Sequence, residues 1–325
     1  MRDQTFDYMK GIGILAMIIG HSIIPSIVDR VIFAWHMPMF FIISGYFYKN
    51  VDSKTMFIKN WKGLLKPYLV TSFLLVFIGY AKKEEGWDSI SSALLSMLVA
   101  SGSKGNPTSL ANYFIGALWF LLAMFWCRTF YNLIQCKCKS EMAWGGVIAV
   151  SSLSVYLGNY ILLPSNILQG AGAMLYFMIG HKMNTNKLLN IDYNKMIIFF
   201  TIIFVFLSVY CGAMSLVRNY YSCFIINFPA CVLAFVSLYK CSVYIVNKQY
   251  PSTNMICKIG RVSILVLCVH IVELEFDPIP YYIADFINIG HSIFIFNPLC
   301  HIVIACSIAL LIEKIPIIRK IYNLR

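Results

Sequence analysis

Acidic residues are scarce in this 325-residue chain: Asp and Glu together number 14, and charged residues of all kinds make up 12%. A soluble domain carries about twice that charged fraction, so a water-soluble globular fold is excluded. No hydrophilic stretch is long enough for a separate soluble domain, and no internal repeat is visible. The eleven cysteines are scattered without paired metal-ligand spacing, which leaves buried free thiols as their reading and no metal site as the expectation.

What is present is apolar. The chain is 59% hydrophobic, with a mean hydropathy of +0.73. Apolar runs of membrane-crossing length, about 17 to 25 residues each, fall at 9–28, 30–48, 64–81, 111–134, 142–162, 166–182, 195–213, 222–246, 258–274 and 293–313. The expected fold is therefore all-α: a polytopic integral membrane protein of about ten transmembrane helices, with residues 1–325 as a single transmembrane domain. The first run lacks a basic leader and a small-residue cleavage site, so it reads as a retained helix.

Basic residues retained on the cytoplasmic side orient such a bundle. With ten helices and both termini cytoplasmic, only Arg30, Lys82, Lys83, Lys104 and Arg218 of the 26 Lys and Arg fall on outer segments. The net charge of +12 is then explained by topology and by attraction to anionic membrane lipid, and implies no nucleic-acid partner. The outer loops hold Glu84, Glu85 and Asp88 in one case, and Glu273, Glu275, Asp277, Asp285 and "DPIPYY" in another. Acids and aromatics on an outward face suit sugar binding; the same residues also serve as ordinary solvated loop positions.

Six histidines stand out, because ionisable groups within membrane helices are rare and mark function. In "KGIGILAMIIGHS", Lys10 and His21 are eleven residues apart. At about 100° and 1.5 Å per residue they share one helix face about 16 Å apart, the span of an extended ligand. Gly13 and Gly20 beside them permit close helix approach. His36 in "FAWHMPMFFIISGY" and His270 in "GRVSILVLCVHIVE" reach a similar depth from two other helices. His181 lies near an inner helix end, and His291 and His301 flank or enter the last helix. Each residue also has a plainer role: a Lys near a helix end anchors at the headgroups, and a single His hydrogen-bonds a neighbouring helix.

Four segments together resemble a known family. "FDYMKGIGILAMIIGHS", "FAWHMPMFFIISGYFYK", "GALWFLLAMF" and "GRVSILVLCVH" are similar, in order and over residues 6 to about 312, to the membrane acyltransferase-3 family, especially its fucose 4-O-acetylase-like and polysaccharide O-acetyltransferase members. The family signature of a basic residue, ten intervening residues and a histidine is matched by Lys10 and His21. Most members carry Arg at the first position; Lys10 keeps the charge and loses the bidentate fork.

The resemblance implies a membrane O-acyltransferase that moves an acetyl group from cytoplasmic acetyl-CoA to a hydroxyl of a cell-surface carbohydrate of capsule, O-antigen or exopolysaccharide type, at the outer side of a bacterial inner membrane. Acetyl-CoA is the acyl donor and no bound cofactor is expected. On this reading His21 is the catalytic general base. Lys10, Arg261 and Ser44 bind the donor, with Lys49 a further candidate. His36, His270, Trp119 and Glu273 contact the acceptor or the transition state, Glu273 orienting His270 from one turn away. Trp119 also suits simple packing at the membrane interface. The competing reading is a transporter or flippase for a sugar-lipid or polysaccharide intermediate, in which buried Lys and His relay protons. The absence of detectable repeats and the scarcity of membrane-embedded acids stand against it.

Overall fold

A computed structural model describes residues 3–82, 90–100, 115–161, 163–190, 194–212, 214–276 and 293–324. Glu84, Glu85, Asp88, Asp277, Asp285 and His291 lie outside these residues. The described chain is helical, with a single antiparallel bridge between Ser215 and Tyr220. In chain order the α-helices are α1 (Gln4–Gly20), α2 (Ser26–Phe33), α3 (His36–Tyr46), α4 (Ser53–Asn60), α5 (Lys66–Lys82), α6 (Ile90–Val99), α7 (Trp119–Lys137), α8 (Ser140–Gly158) and α9 (Ile167–Gly172). They continue as α10 (Met174–Thr185), α11 (Asn194–Cys211), α12 (Phe224–Lys248), α13 (Pro251–Arg261), α14 (Ser263–Leu274), α15 (Ile293–Ile312) and α16 (Pro316–Ile321).

Among the described residues, five helical stretches are long and apolar enough to cross a membrane: Ser26–Tyr46, Ser53–Lys82, Gly116–Lys137, Phe224–Lys248 and Ile293–Ile312. The pair α13 and α14, bent by 77°, makes a sixth if taken as one span. Large apolar side chains face outward, among them Phe77, Phe206, Ile225 and Leu311. An apolar exterior on helices that satisfy their own backbone polar groups is what lipid requires, and the chain is a multi-pass membrane protein.

Several expected continuous helices are broken, and the residues explain where. The first does not run over 9–28. It begins at Gln4, capped by Asp3, whose carboxylate accepts the Thr5 N–H at 2.9 Å, and it ends at Gly20. Pro25 cannot extend a helix through itself and instead precedes α2. The stretch Ser53–Lys82 contains a π-turn at Trp61–Leu65. Pro67 has no N–H to give to residue 63, and Lys66 N–H reaches back five residues to the Trp61 carbonyl, which produces the widened turn.

Two close crossings set the interior. On α3 and α10, a Cβ at Gly45 would overlap the Phe177 carbonyl and one at Gly180 would overlap the Ile42 carbonyl, so the two backbones touch reciprocally. On α1 and α13, Gly11 lies against Ile256 and Gly260 against Asp7 in the same way. Glycine at these points is what lets apolar helices dock at backbone distance.

Candidate active site

The second crossing brings α1 and the end of α13 to one wall of a cavity of about 1010 Å³. Its lining includes Asp3, Asp7 and Lys10 around the first turns of α1, and Ser44 and Lys49 at and beyond the end of α3. Lys59 of α4, Arg128 of α7 and Arg261 of α13 complete the charged set. Lys10, Arg261, Ser44 and Lys49, chosen from sequence as donor contacts, thus share one cavity. Lys10 Nζ lies 3.7 Å from the carboxylate of buried Asp7, its i−3 neighbour, and 5.9 Å from the Phe47 ring centroid. The ammonium is held at the wall by its own helix. A smaller adjoining cavity of about 210 Å³ shares Arg261 and adds Lys258, Lys314, Arg319 and Glu313, with Lys258 and Glu313 3.9 Å apart.

Along α3, α7 and α14 the lining residues nearest the histidines are apolar: Phe40 and Ile43, Phe120 and Met124, and Ile264. His21, His36 and His270 lie beyond them. Lining positions on α1 stop at Lys10, eleven residues short of His21; on α3 they begin at Phe40, four past His36; on α14 they stop at Ile264, six before His270. At about 1.5 Å per residue, the histidines on α3 and α14 sit about 6 to 9 Å past the lining, in the same direction on all three helices. They also meet one another. The rings of His21 and His270 have centroids 6.0 Å apart, and Phe33 stands between His21 at 6.0 Å and His36 at 4.9 Å.

Hydrogen bonds fix the ring nitrogens. His21 follows the last residue of α1, and its Nδ1 lies 2.8 Å from the Met17 carbonyl. His36 makes the equivalent bond to the Ile32 carbonyl at 2.8 Å. A carbonyl only accepts, so each Nδ1 donates, and Nε2 is the lone-pair nitrogen of the neutral ring. His36 Nε2 is buried with no hydrogen-bond partner among the described residues. His270 Nδ1 is 3.0 Å from one oxygen of Glu273, and His301 Nδ1 of α15 is 2.6 Å from the other. Asn297, one turn before His301, places Nδ2 3.2 Å from His301 Nε2 and accepts the Ile23 N–H at 2.9 Å through Oδ1.

Trp119 opens α7, is 5% exposed, and packs against the Phe120 ring at 6.3 Å. It lies outside the cavity lining, which takes Phe120 and Met124 from the same helix. His181 sits apart from the other histidines, with Nδ1 2.8 Å from Tyr131 Oη and its ring 4.9 Å from that of Tyr48, a cavity residue. Sequence reasoning missed Asp7, Lys59 and Arg128 in the cavity and Asn297 with His301 beside Glu273. The last pair was open to the same reasoning as Lys10 and His21, since four residues put both on one helix face.

Residues 3–313 match a family model described as an acyltransferase domain, that of the membrane acyltransferase-3 family. Comparison with curated proteins and with solved structures gives no match for the chain. With nearly the whole chain covered, and a basic cavity running toward clustered histidines, the chain belongs to the membrane acyltransferase-3 family and is a membrane acyltransferase.

Proposed function

We propose that this acyltransferase moves an acetyl group from acetyl-CoA, bound at the basic cavity, to a carbohydrate hydroxyl presented at the histidine end. The observation that carries the reading is the charge of the cavity lining: Lys10, Lys49, Lys59, Arg128 and Arg261 against two carboxylates, while the lining positions nearest the histidines along α3, α7 and α14 are Phe40, Phe120 and Ile264. CoA has the matching shape, with anionic phosphates followed by a long pantetheine arm that ends in the thioester. A volume of about 1010 Å³ suits a ligand at the large end of the range for small-molecule sites.

In this reading the basic end faces the cytoplasm, in agreement with the Lys and Arg distribution expected of ten helices with both termini inside. The chain then sits in a bacterial cytoplasmic membrane and acts on a surface polysaccharide. Ser44 and Lys49 join Lys10 and Arg261 at the phosphates. His21 Nε2 takes the acceptor hydroxyl proton as that oxygen attacks the thioester carbonyl carbon. The C–S bond then breaks and the CoA thiolate takes the proton, leaving an O-acetyl ester and CoA thiol. His36 and His270 each present a lone-pair Nε2 that accepts a hydrogen bond from the acceptor's hydroxyls, Glu273 orients His270, and Trp119 stands on the acceptor side of α7. The thioester reaches His21 by displacing the side chains of Phe40 and Phe120.

Purified protein supplied with radiolabelled acetyl-CoA and the host's surface polysaccharide tests this. Alkali-labile label on the carbohydrate is the expected result. Movement of a sugar-lipid across vesicles without consumption of acetyl-CoA would support the transporter reading instead.

A further inference from the structure

Glu273 touches two imidazoles at once, and with Glu273 as the carboxylate, which only accepts, the bonds around it run in one direction. The Ile23 backbone N–H donates to Asn297 Oδ1 at 2.9 Å, which fixes that amide with its Nδ2 toward His301 at 3.2 Å. An amide nitrogen only donates, so His301 Nε2 accepts and its proton is on Nδ1. That Nδ1–H donates to Glu273 at 2.6 Å, and the second carboxylate oxygen accepts from His270 Nδ1–H at 3.0 Å. The chain therefore begins two residues after His21, passes through α15, and ends on the histidine whose ring meets His21 at 6.0 Å. His270, His301 and Asn297 are 1% exposed or less, and Glu273 between the two rings is partly buried, its side chain 9% exposed.

His270, Glu273 and His301 also offer three ligand-type atoms within 4.8 Å of one another. A metal on His301 Nδ1 would force the proton to Nε2, where it would face the Asn297 amide hydrogens, and rotating that amide would turn the same hydrogens on the Ile23 N–H. The spacing is thus explained by hydrogen bonding rather than by coordination.

We propose that Asn297, His301 and Glu273 form a positioning array that locks His270 with Nε2 as its lone-pair nitrogen beside His21. As Glu273 neutralises a proton arriving on His270, the array makes His270 a second proton-accepting group of the transfer site. Its kinetic consequence rests on the acyl-transfer reading; its tautomers do not.

The test uses ¹⁵N-histidine-labelled full-length protein in detergent at neutral pH, with resonances assigned by single His→Gln variants and metal content measured on protein purified without chelator. The expected spectrum has His301 and His270 protonated at Nδ1. In Glu273→Gln the new side chain offers one acceptor and one donor. Because Asn297 pins His301, His270 should be the ring whose proton moves to Nε2. His301→Gln, which leaves Glu273 in place, should lower kcat on the order of 100-fold, the scale of a misplaced reacting group, with little change in donor KM. His301 protonated at Nε2, one zinc per chain on these rings, or a His270 tautomer unmoved by Glu273→Gln would each overturn the proposal, as would a His301→Gln kcat equal to wild type. Where Glu273→Gln fails to fold, the wild-type spectrum and His301→Gln decide it. A wild-type protein that transfers no acyl group overturns the acyl-transfer reading instead, and the spectrum then judges the array by itself.

Discussion

Gly260 lies with its α-carbon against the carbonyl of Asp7, so the residues that carry Lys10 and Arg261 into the cavity meet at backbone distance. Adding even a methyl group there requires α1 and α13 to part. Gly260→Ala is expected to lower stability by about 1 to 3 kcal/mol, the usual cost of overpacking, and to weaken donor binding together with it. Thermal unfolding in detergent beside acetyl-CoA calorimetry checks both. Unchanged unfolding and affinity would show that the two helices do not meet this closely.

Lys10 tests the phosphate contact. Lys10→Ala is expected to raise the donor KM about tenfold or more, the loss of one charge-assisted hydrogen bond, with a smaller effect on kcat, because a phosphate contact is made equally in the ground and transition states. Lys10→Arg keeps the charge and should retain substantial activity. Equal KM values for the alanine variant and wild type, at equal membrane levels, would reduce Lys10 to an anchor.

Topology is open to labelling. Ser53 and Asn159 are both exposed at helix ends, and they fall on opposite sides of the membrane if ten helices cross it with both termini inside, as the Lys and Arg placement leads one to expect. In a background without the eleven native cysteines, all free thiols, a cysteine at Asn159 is expected to react with an impermeant reagent in intact cells and one at Ser53 is not. The reverse pattern would invert the bundle and remove the cytoplasmic donor.

That this is a helical multi-pass membrane protein was legible in composition, because apolar length responds directly to lipid. Helix continuity was not. Hydropathy sums across a break, so the run through Val262 reads as one helix while the chain bends by 77° there. Pro25 did mark the end of the first helix, yet the apolar residues on both sides of it outweighed that signal. The depth of His21, His36 and His270 could be counted along each helix. Which helices are neighbours could not be, and so the partnership of Glu273 with His301, 28 residues later on α15, was hidden.

His21→Gln separates a donor site at the basic cavity from a base at the histidine end. Its Nδ1 bond to Met17 ends α1, so a purely structural His21 would cost roughly a kcal/mol in stability and leave turnover in the folded fraction. The measurement is O-acetyl transfer to carbohydrate per folded molecule, beside acetyl-CoA binding by calorimetry. Affinity close to wild type is expected, with transfer lowered by about 10²- to 10⁴-fold, the usual contribution of a general base. Near-normal transfer per folded His21→Gln molecule would contradict that role.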